Sequence, residues 1–169
     1  AKAIKVVTGK VRFSYAHVFQ PQASQDGGTP KYSVSIIIPK SDTETVNKIN
    51  KAIEAAKQEN AAVWGGTVPK GLKGGLRDGD EEKDDPAYAN SYFINANSAQ
   101  KPGVVDADLN AILDQSEFYS GCYGRASISF FAYNSNGSKG IGCGLNNVQK
   151  TAEGDKLGGS SSAADDFAV

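Results

Sequence analysis

The segment YGRASISFFAY, residues 123–133, combines the residue types that bind a nucleic acid strand. Strict alternation predicts a β-strand whose core face carries Ala126, Ile128, Phe130 and Ala132. The opposite face carries an arginine, two small serines and aromatic rings, namely Tyr123, Arg125, Ser127, Ser129, Phe131 and Tyr133. Rings stack on nucleobases, each stack contributing about 1–3 kcal/mol, and small residues between them leave a trough for a chain. The alternative is that a helix or second sheet covers this face and makes the rings part of the core.

Motifs for catalysis, metals and cofactors are missing from the sequence. His17 is the only histidine, and Cys122 and Cys143 form no CxxC pair, so we expect buried thiols and no zinc site. The glycine-rich stretch 65–75 lacks the phosphate-loop pattern. The acidic run from Asp78 has Lys83 where a calcium loop requires glycine. We therefore expect a protein that is not an enzyme and has no metal or cofactor.

The distribution of charge favours a polyanionic partner. The net charge is −1, yet residues 1–75 hold eleven Lys and Arg against five acids, whereas residues 76–169 hold seven against fourteen. Such an asymmetry predicts a basic surface with an acidic counterweight. No run approaches the roughly 18 apolar residues of a membrane span, and the first residues lack the apolar stretch of a signal peptide. We expect a soluble, cytoplasmic protein.

The chain that must position these residues is mainly β. Alternation predicts a hairpin of strands near 4–19 and 31–38, with Val11, Phe13 and Tyr15 on one face, and further strands at 91–98, 124–133 and 139–150. One amphipathic helix is predicted at about 42–60, with Ser41 and Glu44 as its capping box. Five or so strands, one helix and long loops describe a small β-barrel of the OB-fold type.

Two segments lack periodicity. Residues 65–90 are predicted to be a long loop, basic in its first half and acidic in its second, that closes over the aromatic strand. Residues 158–169, GGSSSAADDFAV, are predicted to be a flexible acidic–aromatic tail after a domain spanning residues 1–157.

Longer strings carry a family resemblance. SYFINANSAQKPGVVD, then SEFYSGCYGRASISFFAYNSNGSKGIGCGLNNVQK, then KLGGSSSAADDF resemble a family of phage-encoded proteins that includes single-stranded DNA-binding proteins with an OB-fold. The resemblance runs from VRFSYAHVF to the end of the chain and is most specific at 116–150. It implies binding of single strands, without reading their sequence, during phage replication and recombination.

The ending also resembles the tails of single-stranded DNA-binding proteins, which dock replication partners and compete with DNA for the basic groove. It departs from the stronger versions, because only Asp165 and Asp166 are acidic at the tip and Ala168-Val169 follow Phe167. Partner docking through Phe167 is therefore the expected main role, with weak competition against DNA.

Together these observations predict a protein that coats single-stranded DNA. The stacking candidates are Trp64, Tyr92, Tyr123, Phe131 and Tyr133. The phosphate-binding candidates are Arg12, Lys31, Lys70, Lys73, Arg77 and Arg125. The partner-binding candidates are Asp165, Asp166 and Phe167. A strand edge that pairs with a second copy would give a dimer.

Two other classes of function stay open at this point. One is a β-barrel interaction or virion module that never contacts DNA. The other is a metal-dependent nuclease or strand-annealing protein, for which the acidic loop would have to donate metal ligands.

Overall fold

The computed structural model describes residues 3–22, 30–72, 74–135 and 138–157. Its strands are β1 (Ile4–Val7), β2 (Val11–Gln22), β3 (Lys31–Pro39), β4 (Arg77–Asp78), β5 (Ser91–Ser98), β6 (Gly103–Val105), β7 (Tyr123–Ser135) and β8 (Ser138–Ala152). Its α-helices are α1 (Thr43–Glu59) and the single turn α2 (Gly79–Glu82), and 3-10 turns span Ala61–Trp64 and Pro86–Tyr88. The predicted mainly β architecture with one amphipathic helix is confirmed.

Five strands close into a ring. β7 pairs with β2, β2 with β3, β3 with β5 and β5 with β8, and β8 returns to pair with β7. The β7–β8 hairpin is the longest ladder, running from Tyr123↔Ala152 to Ser135↔Ser138. β1 and β6 extend the sheet at its two edges, and β4 is added to β5. This five-stranded closure is the arrangement expected of an OB-fold-like barrel.

The inner face of the barrel holds the core. Its buried side chains include Phe13 of β2, Ile36 of β3, Ile94 of β5 and Phe130 of β7. On β7, Ala126, Ile128, Phe130 and Ala132 all point into this core, as the alternation predicts.

The alternation of β2 breaks at Tyr15, which corrects the sequence prediction. Val11 and Phe13 are buried, but Tyr15 is 57% exposed and its φ is 48°. The pairing with β3 shifts register between Ser14 and His17 at this point. A residue in the left-handed region re-aims its side chain, so a β-bulge turns Tyr15 away from the core.

The helix α1 closes one end of the barrel against β1 and β7, and it buries Thr45, Ile49, Ala52, Ile53 and Ala56. Its N-cap is Asp42 and not Ser41 as predicted, because the Asp42 carboxylate accepts hydrogen bonds from the backbone N–H and the hydroxyl of Thr45, at 3.2 and 2.8 Å. Glu44 pairs with Lys48 of the next turn and does not complete a capping box.

The segment 65–90 is more ordered than the predicted loop. Arg77 and Asp78 form β4 against β5, Asp78 caps α2, and Tyr88 is fully buried against Phe93. Among the described parts of the chain, no helix has the length and apolar character needed to cross a membrane.

The capping interaction yields a prediction for stability. Replacing Asp42 with alanine removes both acceptors of Thr45, and we expect the free energy of unfolding to fall by about 0.5–2 kcal/mol. Ser41→Ala is the control and should leave it unchanged, which urea unfolding of the two variants can measure. A loss in the Ser41 variant instead would contradict the assignment of the cap.

Candidate nucleic-acid interface

A groove of about 630 Å³ lies where β5, β7, β8 and the 65–90 segment meet, and its lining combines outward-facing side chains with the core residues Ile94, Ile141 and Cys143. It is lined by Lys31, Gly74, Gly75, Arg77, Ile94, Asn95, Asn97, Phe131, Tyr133, Ile141, Gly142 and Cys143. Four of the residues predicted from sequence, namely Phe131, Tyr133, Lys31 and Arg77, are brought together here.

Phe131 and Tyr133 form the aromatic wall of the groove. Their ring centroids are 6.5 Å apart, Phe131 is 38% exposed and Tyr133 is half-buried. The outer face of β7 therefore remains open at these rings, which argues against the alternative of a fully covered face. A partly exposed ring beside a groove can receive a base without refolding of the protein.

Glycines on β8 determine how these rings lie. Phe131 pairs with Gly142 and Tyr133 pairs with Gly140. A Cβ atom at Gly142 would lie 2.3 Å from the Phe131 ring, so the ring rests directly over the strand backbone. Any larger residue at 142 would push the ring off the sheet. The alternate glycines of KGIGCG thus leave space for the aromatic side chains of the neighbouring strand.

Asparagines of β5 supply the polar floor. Asn95 and Asn97 are both exposed, and Asn97 pairs with Gly144 at the bridge between β5 and β8. An amide side chain presents both hydrogen-bond donors and acceptors, so this floor can contact base edges of different kinds. Sequence reasoning missed Asn95 and Asn97, although their alternation with Ile94 and Ala96 already placed them on an outer face.

Two cations flank the groove. Lys31 is exposed on β3, and Arg77 is exposed on β4 with its guanidinium 4.9 Å from the Phe93 ring centroid. Arg77 also donates to Glu82 at 2.7 Å, a hydrogen bond that raises the pKa of Arg77 and lowers the pKa of Glu82. A phosphate that binds Arg77 must therefore compete with the Glu82 carboxylate.

The 65–90 segment forms the rim opposite the aromatic wall. Gly74 has a φ of 104°, and a Cβ atom there would lie 2.1 Å from the carbonyl oxygen of Ile141. Only glycine fits this approach to β8. The start of the segment is held by Trp64, whose indole N–H donates to the Tyr133 carbonyl at 2.9 Å. The segment thus packs against β8, and closure of this segment over the aromatic strand β7 stays a prediction.

Trp64 itself is misplaced among the stacking candidates. It is 8% exposed and packs in the main core, because the 3-10 turn that carries it folds back onto β7. A base cannot stack on this ring in the structure described here, so the predicted exposure is wrong.

Tyr123 and Arg12 lie together but outside the groove. The Arg12 guanidinium is 5.3 Å and the Lys10 ammonium 5.1 Å from the centroid of the Tyr123 ring. Arg12 also donates to the carbonyls of Gly121 and Asp155, at 3.1 and 2.8 Å. These side chains border a separate cavity of about 240 Å³.

The remaining predicted residues do not join the groove. Tyr92 is half-buried, with the Lys40 ammonium 5.2 Å from its ring centroid. Arg125 is exposed and donates to the carbonyl of Thr8 at 3.1 Å, and Lys70 is exposed in the segment after the first 3-10 turn. Lys73 and the tail residues Asp165, Asp166 and Phe167 lie outside the described residues.

The described residues contain no group of three His, Cys, Asp or Glu side chains that could hold a metal ion. Cys122 and Cys143 are free and buried, and burial raises the pKa of the Cys143 thiol to about 12. The acidic residues of 78–82 instead pair with cations, since Asp78 and Asp80 both bind Lys40, at 2.8 and 2.9 Å.

A family model and a curated relative match nearly the whole chain. The family model of the single-stranded DNA-binding protein of Enterobacter phage Enc34 matches residues 4–169. Putative protein p50 of Acyrthosiphon pisum secondary endosymbiont phage 1 is 29% identical over 175 residues, which cover 97% of this chain and 92% of that protein.

Solved structures show the same likeness. The single-stranded DNA-binding protein from bacteriophage Enc34 in complex with single-stranded DNA is 26% identical, with a TM-score of 0.79 over 91% of this chain and 89% of that one. Gp2.5, a single-stranded DNA-binding protein encoded by bacteriophage T7, is 16% identical with a TM-score of 0.65 over 99% and 96%, which shows a shared fold. These likenesses confirm the predicted OB-fold-like architecture.

The packing of Phe131 over glycine yields a test of the groove geometry. In Gly142→Ala the new Cβ would lie 2.3 Å from the ring. Because the ring is partly exposed it can rotate away, so we expect a loss of less than about 1 kcal/mol of unfolding free energy. The NMR signals of the Phe131 ring should nevertheless shift.

Gly144→Ala is the matched control, because its Cβ would lie at ordinary contact distances, 3.6 Å from the Ser129 oxygen and 3.7 Å from the Phe131 ring. Equal ring shifts in the two variants, or none in Gly142→Ala, would contradict the described packing.

Proposed function

The chain belongs to the family of the single-stranded DNA-binding protein of Enterobacter phage Enc34, and we propose that it coats single-stranded DNA, without marked sequence preference, during phage DNA replication and recombination. The observation that carries this proposal is the groove in which two partly exposed rings, two asparagines and two cations meet. The family is one of binding proteins, so the chain is not an enzyme.

In the proposed complex, bases stack on Phe131 and Tyr133 while the backbone follows Lys31 and Arg77. Stacking tolerates any base because every base has a π-face, which accounts for weak sequence preference. The glycines opposite the rings let bases approach the sheet closely, and the amides of Asn95 and Asn97 replace part of the hydration that the base edges lose.

The predicted residues outside the groove have supporting roles in this proposal. Tyr123 with Arg12 forms a further candidate contact, since a ring and a cation 5.3 Å apart offer a stacking face and a phosphate partner. Lys70, Lys73 and Arg125 are proposed as further phosphate partners. Tyr92 is the weakest stacking candidate, because it is half-buried and its neighbouring cation Lys40 already binds Asp78 and Asp80. The proposal places the protein in the cytoplasm of the host cell. Because β1 lies at one edge of the sheet, a second copy would pair there to form a dimer.

The proposal includes a separate role for the end of the chain. Residues 1–157 form the DNA-binding domain, and residues 158–169 form a tail that docks replication or recombination proteins through Asp165, Asp166 and Phe167. A short tether holds such a tail at a millimolar-range effective concentration near its own domain. With only two carboxylates at its tip, it opposes DNA weakly.

Replacing Phe131 with alanine tests the groove. We expect the dissociation constant for a fluorescent oligothymidylate to rise about 5- to 150-fold, the equivalent of one lost stack of 1–3 kcal/mol. The dependence of log affinity on log salt should keep its slope, because the ring contacts no phosphate. Lys31→Gln should instead reduce that slope by about 0.7.

Leu113→Ala is the control, because Leu113 is 85% exposed and lies outside the groove. If Phe131→Ala binds like this control, the groove is not the DNA site. A chain that binds no oligonucleotide would be the interaction module instead, and one that consumes the probe when magnesium is added would be a nuclease.

Removing residues 158–169 tests the tail. We expect DNA affinity to rise modestly, because two nearby carboxylates are lost, and co-purification of a replication partner from infected cells to cease. Phe167→Ala in the full chain is the matched variant and should lose the partner without changing DNA affinity. Weaker DNA binding after truncation would show that the tail is part of the DNA site.

A further inference from the structure

We infer that the groove continues across the sheet to a second stacking position at Tyr15, where another base of the same strand binds and Lys83 contacts its backbone. This inference rests on the proposed function and adds a site that neither the sequence analysis nor the groove cavity contains. Its ligand is an unpaired nucleobase with its flanking phosphate.

Strand pairing defines the path. Register partners run in one line across five strands: His17 with Ser33, Ser33 with Asn97, Asn97 with Gly144, and Gly144 with Ser129. Four steps between strands span about 19 Å. Ser33, Asn97, Gly144 and Ser129 are all small or polar, so the line forms a shallow trough. Phe131 lies beside one end of it, and Tyr15 lies beside the other.

Tyr15 has two features that its packing does not explain. Its φ of 48° places a bulky aromatic residue in the left-handed region, where such residues are rare. The side chain is also 57% exposed, so the free energy gained from burying the ring does not offset that backbone strain. Strained residues that persist concentrate at binding sites. The strain here holds a ring outward on the face that carries the groove.

Lys83 lies between Tyr15 and the part of the groove formed by Arg77. Its ammonium lies 5.4 Å from the ring centroids of Tyr15, Tyr88 and Phe93. Arg77 of the groove lies over the same Phe93 ring, at 4.9 Å. Arg77 and Lys83 therefore supply positive charge over the buried Phe93 ring, between the aromatic wall and Tyr15. The Glu82 carboxylate interacts with both cations, because it binds Arg77 and the charge of Lys83 lowers its pKa. A DNA phosphate bound between these cations would take the place of this carboxylate.

The experiment separates binding from stability. Asparagine tolerates the left-handed region, so Tyr15→Asn should keep or raise the urea midpoint of unfolding. The dissociation constant for oligothymidylate should rise about 5- to 150-fold. Tyr15→Phe, which keeps the ring, should bind like the unmodified chain. Leu109→Asn is the control, because Leu109 also has a positive φ of 69° and is 72% exposed, away from the groove.

Tyr15→Trp gives a second measurement that does not depend on the asparagine variant. Stacking of a base should quench the added indole fluorescence, whereas Leu109→Trp should not respond to DNA. Unchanged affinity of Tyr15→Asn with no quenching of Tyr15→Trp overturns the second site. If Phe131→Ala, measured in parallel, still loses affinity, the proposed function survives; if it does not, the groove itself is wrong.

Discussion

The pairing of β8 with two partners is the constraint on which the groove depends. β8 forms a long antiparallel ladder with β7 and meets β5 in parallel at Asn97↔Gly144, and this bridge closes the barrel. Closure brings the asparagines of one strand beside the rings of another, although the two segments are far apart in sequence. The glycines of β8 make both contacts compatible, since they let Phe131 lie flat and leave space at the bridge. A barrel open at this seam would have the same residues but no groove.

Local pairing of charges changes the role of the acidic segment. Asp78 and Asp80, from the acidic half of the chain, bind Lys40 of the basic half, whereas Glu82 binds Arg77 within its own half, so these carboxylates neutralise cations of both halves. The opposite balances of the two halves of the sequence are therefore partly cancelled in space. In the proposed complex, a phosphate exchanges places with a carboxylate at Arg77. Affinity then depends strongly on stacking, which needs no net charge.

The elements that follow local rules could be predicted from the sequence, and the contacts that depend on long-range closure could not. The alternation of β7 correctly separates Phe130 from Phe131, and the 91–98 strand has the predicted bounds. The predicted exposure of Trp64 is wrong because a 3-10 turn folds its indole back onto β7. The predicted face of Tyr15 is wrong because its own left-handed backbone conformation turns the side chain to the other side of the strand. Neither the 3-10 turn at Trp64 nor the left-handed conformation at Tyr15 can be predicted from the residue types at those positions. Asn95 and Asn97 were readable as outer residues, but nothing in the sequence placed them beside Phe131.

Photocrosslinking tests most directly whether this groove is the DNA path. An oligothymidylate that carries iododeoxyuridine, irradiated with the full chain and digested, reports by mass spectrometry which aromatic residues contact bases. We expect crosslinks to Phe131 or Tyr133, which Gly142→Ala should diminish and Gly144→Ala should leave unchanged. Crosslinks confined to Tyr123, or to the face formed by β1 and α1, would contradict it.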